Sequence, residues 1–212
     1  MSMTEAMDHI KDGMSIMFGG FLAVGTPERF IDVLIEKGVK DLTIITTDTG
    51  FPDKGTGRLV VNKQVKKVIA SHIGTNPETG RQMNSGEMEV ELVPQGTLAE
   101  RIRAAGAGLG GVITPTGVGT ILEESKQKIT LDGKDYLIEM PLRADVALIK
   151  GARVDKKGNV TYNNSARNFN PVMAMAADLV IVQADEIVEA GEINPNDVVT
   201  PGIFVDIIVK GV

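Results

Sequence analysis

Residues 12–27, which read Asp-Gly-Met-Ser-Ile-Met-Phe-Gly-Gly-Phe-Leu-Ala-Val-Gly-Thr-Pro, constrain this chain more than any other stretch. The run 14–18 is short and apolar, as expected of a strand buried on both faces. Gly19 and Gly20 follow it, allowing backbone conformations closed to other residues and close approach of a ligand. Gly25 adds a second permissive point. Thr26 can cap a helix and Pro27 suits its first position, where a missing N–H costs nothing. A strand, a glycine-rich turn and a helix start together present free amides to negative charge or to a developing oxyanion.

The rest of the chain repeats the alternation. Residues 3–11 carry Met3, Ala6, Met7 and Ile10 at helical spacing. Residues 27–37 form a helix with Phe30, Ile31, Leu34 and Ile35 on one face and Gly38 placed to end it. Residues 42–45 are the next strand, so a parallel βαβ unit is expected. A short helix over 55–62, strands over 65–70 and 89–93 and a loop over 71–80 follow, then a helix over 97–105. In open α/β sheets ligands bind beyond the carboxyl ends of the strands. Residues 46–49, His72 and the Pro94-Gln95-Gly96 turn are therefore expected on the same edge as Gly19 and Gly20.

Residues 106–111 satisfy Gly-x-Gly-x-x-Gly, with Asp132 about twenty residues on. The dinucleotide fingerprint must follow a strand and open a helix; this one follows a helix, and a tightly turned loop is the better reading. Residues 128–131 and 134–138, joined by Asp132-Gly133, give the strongest hairpin signal in the chain. Strands over 146–149 and 179–182, a turn over 155–158, a helix over 172–177 and further β structure at 187–188 and 203–209 complete the pattern. The expected fold is α/β: an open, mainly parallel sheet flanked by helices. The chain is read as one domain over 1–212, with a small antiparallel insertion at 128–139.

Composition removes several function classes. The net charge of −6 and the absence of a dense basic run argue against nucleic-acid binding. There are no cysteines, which excludes disulfides, thiolate catalysis and Cys-zinc sites. Two histidines without cysteine cannot form the usual His-rich zinc triads, and no metal is expected. No stretch approaches a membrane span or a signal peptide, so a cytoplasmic location away from membranes is expected.

The opening block resembles the first signature of the family I coenzyme A transferases: Asp-Gly, two residues, three apolar positions, Gly-Gly-Phe, three residues, Gly, one residue, Pro. Each position is filled. The resemblance continues through Ser71-His72-Ile73-Gly74, residues 86–92, Pro94-Gln95-Gly96-Thr97-Leu98, Arg101-Ile102-Arg103, the glycine-rich loop to Thr120, and residues 165–170. It implies a fold shared by CoA transferases and ribose-phosphate isomerases. It also implies the alpha subunit of an acyl-CoA:carboxylate CoA-transferase of the acetate, acetoacetate or butyrate type.

In that family a glutamate attacks an acyl-CoA thioester and passes through an anhydride to a glutamyl-CoA thioester, with ping-pong kinetics. The glutamate belongs to a second signature, Ser-Glu-Asn-Gly, which is absent here. The resemblance therefore implies a beta subunit that supplies it, in a heterodimer or heterotetramer, with acyl-CoA and a short-chain carboxylate as substrates and no cofactor. Gln95 matches the family's active-site glutamine. Gly19, Gly20, Phe21, Leu22, Ala23, Val24 and Gly25 match its CoA-contacting segment.

From the residues alone, Gln95 also reads as a turn residue after Pro94, the glycine segment as a packing turn, and Phe21 as core. Some relatives carry two asparagines where this chain has Thr47 and Asp48, which bears on substrate choice. His72, at a strand end, is placed for a base, but the transfer needs no histidine and it reads as a hydrogen-bonded structural residue; His9 reads as surface. Arg167 and Asn168, just before a helix, either hold a carboxylate or serve as a structural cap or salt bridge. Two other function classes fit a similar scaffold: a sugar-phosphate isomerase active alone, and a non-catalytic CoA-binding regulatory subunit.

Overall fold

Short apolar strands pair side by side into a single parallel sheet, and the order in which they do so places the site. The computed structural model describes residues 1–211. Its elements are α1 (Met3–Met7), β1 (Ser15–Phe18), α2 (Glu28–Lys37), β2 (Leu42–Ile45), α3 (Gly57–Val61), β3 (Val65–Ala70), α4 (Pro77–Ser85), β4 (Glu89–Leu92) and α5 (Gln95–Gly106). Then come β5 (Val112–Thr114), β6 (Lys128–Leu131), β7 (Lys134–Glu139), β8 (Ala144–Asp155), α6 (Asn170–Ala174), β9 (Ala177–Val188) and β10 (Ile207–Lys210).

The seven-stranded sheet has the order β10-β9-β8-β1-β2-β3-β4, and every pairing in it is parallel. The chain starts at β1, builds outward to β4, then returns to the other side of β1 with β8 and builds outward again. The order therefore reverses at β1, and open α/β sheets form their ligand crevice at such a reversal. The glycine turn leaves the carboxyl end of this strand.

Strand β1 is buried on both faces, as its unbroken apolar run predicts. Ile16 and Phe18 pack with Phe30, Ile31, Leu34, Leu59 and Val60 under α2 and α3. Met17 faces the opposite layer, with Leu98, Ile102 and Ala105 of α5 and Met173 of α6. The result is a helix–sheet–helix sandwich with an apolar layer on each face of the sheet. No helix among the described residues is long and apolar enough to cross a membrane.

Asp132 and Gly133 both take positive φ, at 50° and 74°, the turn that an Asp-Gly hairpin requires. The insertion is larger than the sequence suggests: β5 pairs antiparallel with β7, making a three-stranded sheet in the order β5-β7-β6. It is tied down by Glu139, only 3% exposed. Glu139 pairs with Lys126 and lies near Arg101, which donates to the Met140 carbonyl at 2.9 Å and to Glu91 at 2.9 Å.

Other boundaries differ for physical reasons. The first helix ends at Met7, four residues short of its expected end. Residues 71–80 are not all loop, since α4 begins at Pro77. The Asn76 side chain caps it, Pro77 takes its first turn and Gly86 closes it at φ 74°. Strand β8 runs for 12 residues where 146–149 was expected, and β9 is one continuous strand through 187–188. The helix expected at 172–177 is α6, shifted towards Asn170. Thr26 does not cap α2: Pro27 is its cap residue and no side chain bonds there.

Candidate active site

The glycine turn is shaped by what crowds against it. A Cβ on Gly19 would lie 1.8 Å from Asn170 Oδ1, and one on Gly20 would lie 2.0 Å from Thr26 Oγ1. Thr26 is thus buried against the turn, its hydroxyl occupying the space that a side chain at position 20 would need. Beyond the glycines, Phe21 and Val24 exchange backbone hydrogen bonds at 3.0 and 2.9 Å. They close a two-residue turn in which Leu22 and Ala23 take φ of 47° and 64°. Hairpins prefer Asn-Gly for this conformation; for residues with a Cβ it costs about 1–2 kcal/mol each. Phe21 and Val24 stand out at the tip, 45% and 47% exposed, so Phe21 is not core.

Three polar side chains hold this strained turn. The buried Asp48 carboxylate accepts from the Leu22 N–H at 2.8 Å, the Thr47 hydroxyl at 2.6 Å and the Gly50 N–H at 2.8 Å. Asn168 accepts from the Gly20 N–H at 3.2 Å and donates to the Val24 carbonyl at 2.9 Å. Asn170 donates to the Gly25 carbonyl at 3.0 Å and to Ala166 at 2.8 Å, while its oxygen accepts from the Lys150 N–H at 2.9 Å. Of the two roles open to Asn168, the structure thus gives it a structural one. Neither the Asp48 contact to Leu22 nor the fit of Asn170 against Gly19 is foreseen in the sequence.

Gln95 lies at the start of α5, exposed, in a first turn that no side chain caps. Its side-chain oxygen meets the Ser71 hydroxyl. Ser71, just beyond β3, reaches the Thr47 carbonyl at 2.6 Å, and the Thr47 hydroxyl oxygen lies 2.9 Å from the Gly20 carbonyl. An unbroken series of contacts therefore runs from Gly20 through Thr47 and Ser71 to Gln95, along the carboxyl ends of β1, β2 and β3. The convergence expected from the strand pattern is present. Thr97, two residues into α5, has the one buried side-chain oxygen without a hydrogen-bond partner among the described residues.

The remaining candidates sit at the margins. His72 is exposed; its carbonyl accepts from the Thr49 N–H at 3.3 Å, and its ring covers Gly74. His9 is exposed, two residues beyond the end of α1. Arg167 is exposed just before Asn168 and forms no ion pair among the described residues. A cavity of about 610 Å³ lies elsewhere, between α1, α2 and β10. Its Arg58 is committed to Asp32 at 2.7 Å, and no residue of the glycine turn lines it. No group of three metal-ligating side chains is present among the described residues.

Chemically, the edge presents hydrogen-bond donors: the Gln95 side-chain amide and the positive end of a twelve-residue helix. A ligand can approach the glycine turn from its exposed Phe21–Val24 tip.

A family model described as Coenzyme A transferase matches residues 1–211. The chain is 60% identical over 209 residues to the acetate CoA-transferase subunit alpha of Escherichia coli K12, covering 99% of this chain and 95% of that one. It is 55% identical over 200 residues to the acetoacetyl-CoA:acetate/butyrate CoA transferase alpha subunit of Clostridium acetobutylicum, covering 94% and 92%. Its fold superposes with a TM-score of 0.88 on a crystal structure of an acyl-CoA transferase from E. coli O157:H7, at 24% identity. All of this chain is covered in that comparison and 46% of the other, so it spans just under half of that longer chain.

Proposed function

The chain belongs to the coenzyme A transferase family, and we propose that it is the alpha subunit of a short-chain acyl-CoA:carboxylate CoA-transferase. Its relatives are named as alpha subunits of acetate and of acetoacetyl-CoA:acetate/butyrate transferases, which supports a beta-subunit partner and substrates of that size. Family membership does not favour the isomerase or the purely regulatory reading. The observation that carries the assignment to this edge is the contact series from Gly20 to Gln95.

In the proposed reaction the partner's glutamate attacks the thioester carbonyl of the acyl-CoA. The C–S bond breaks, leaving an acyl-glutamyl anhydride and CoA thiolate. The thiolate then attacks the glutamyl carbonyl, forming the glutamyl-CoA thioester and releasing the first carboxylate. An incoming carboxylate reverses both steps and leaves as a new acyl-CoA, so no group is oxidised or reduced. This chain contributes the surround: the segment 19–25 holds CoA, and the Gln95 amide donates to the oxygen that gains charge in each tetrahedral intermediate. Coenzyme A is a substrate here, and neither a metal nor a nicotinamide is needed.

Acetate release without an acceptor tests this reading. A complex of this chain with a beta subunit carrying Ser-Glu-Asn-Gly, given acetyl-CoA and no free carboxylate, should release acetate in proportion to its active sites and keep the CoA on the glutamate as a thioester detectable by intact mass. No acetate release until a second carboxylate is added would contradict the ping-pong scheme.

A further inference from the structure

Ser71 makes two contacts with one proton. Its hydroxyl oxygen lies 2.6 Å from the Thr47 carbonyl and in contact with Gln95 Oε1, and both neighbours are acceptors. A serine hydroxyl donates only once, so it serves one of them at a time. The Thr47 carbonyl is already met by the Ser71 backbone N–H at 3.0 Å, the β2–β3 pairing carried beyond the strand ends. Gln95 Oε1 has no other donor among the described residues.

We propose that Ser71 is a positioning residue that gives its hydroxyl proton to Gln95 Oε1 and so turns the Gln95 amide NH2 towards the substrate acyl group. The proposal rests on reading Gln95 as the donor to the acyl oxygen. The opposite setting is built from the same atoms. With the Ser71 proton on the Thr47 carbonyl, the Gln95 amide reverses, its NH2 donates to Ser71 Oγ and its oxygen faces the substrate. An oxygen there would repel the developing oxyanion, so one hydroxyl decides whether the helix start presents a donor or an acceptor. Thr47 itself is braced at the glycine turn: its hydroxyl lies 2.6 Å from the Asp48 carboxylate, which takes its proton, and its oxygen lies 2.9 Å from the Gly20 carbonyl.

A double-mutant cycle in the reconstituted alpha–beta complex tests this, with S71A, S71C, Q95A and S71A/Q95A compared for kcat and KM for acetyl-CoA. Misplacing a catalytic donor costs about ten- to a hundredfold. S71A should therefore lower kcat by about that factor, with KM moved less than about twofold, and it should add less than about threefold once Gln95 is already alanine. The thiol of S71C is a weaker donor in nearly the same space and should give an intermediate loss; S71C carries the test should S71A fail to fold. Wild-type kcat in S71A or in S71C, or the same loss from S71A in both backgrounds, would overturn the role of Ser71 while leaving that of Gln95 intact. Unchanged kcat in Q95A would overturn both together.

Discussion

Asp48 accepts three hydrogen bonds and forms no ion pair among the described residues, so its carboxylate is held by donors alone. Hydrogen bonds to a charged group contribute about 1.5–3 kcal/mol each. Asp48→Ala should free Leu22 from its strained conformation and raise the KM for acetyl-CoA more than it lowers kcat. An unchanged KM in steady-state kinetics would detach the residue from the turn's shape. Asp48→Asn should fall between the two, because an amide nitrogen would face an N–H at one of its contacts. At the turn itself, Ala23→Gly removes a Cβ at φ 64°. Strain relief of about 1–2 kcal/mol exceeds the roughly 0.5–1 kcal/mol that glycine loses in unfolded-chain entropy. The melting temperature should therefore rise by about 1–4 °C; a fall would show that the turn is not strained. Gln95→Ala in the complex should lower turnover about ten- to a thousandfold, the range for losing an oxyanion donor, with a smaller effect on KM.

At the scale of elements, β1 is the strand on which both apolar layers close. Ile16 is fully buried at its centre, and Ile16→Ala should cost about 2–5 kcal/mol, read as a lower denaturation midpoint with an unchanged slope. A cost under about 1 kcal/mol would mean that the site collapses around the gap. Helix α4 offers a pH test. The Arg81 guanidinium, aided by the Gln82 amide, holds the Glu78 carboxyl down at about 2, against 4.5 for an ordinary glutamate. Because the folded value is the lower one, the stabilisation is full above about pH 4.5 and is lost as pH falls towards 2. The difference in melting temperature between wild type and Glu78→Gln should shrink across that window, whereas a constant difference would rule the ion pair out as its source.

These elements also show what a linear reading can and cannot reach. The strands of the large sheet and the Asp132-Gly133 hairpin are legible because local periodicity and turn chemistry agree there. Helix α4 is signalled by Asn76-Pro77 and Gly86, yet its few apolar residues give weak helical periodicity, and the loop reading prevails. Strand β5 is three residues long and takes its identity from β7, more than twenty residues away. In the site, the glycine turn and Gln95 are visible as motifs. Their clamps are not: Asn168 and Asn170 meet residues 148 and 145 positions distant, and no local pattern marks such pairs.

For the whole molecule, the reversal of strand order at β1 gathers the glycine turn, the Thr47–Asp48 corner, Ser71 and Gln95 on one edge. That edge is rich in donors, and the Ser-Glu-Asn-Gly nucleophile signature is absent from the chain. The central claim is therefore that this chain is one half of a two-chain active site. The measurement that tests it most directly is transfer of CoA from acetyl-CoA to acetoacetate or butyrate, by the purified chain alone and after mixing with a beta subunit bearing Ser-Glu-Asn-Gly. The chain alone should give no transfer, and the mixture should turn over at a rate that saturates at a fixed subunit ratio. Sustained transfer by the isolated chain would contradict it and move the nucleophile onto one of its own carboxylates.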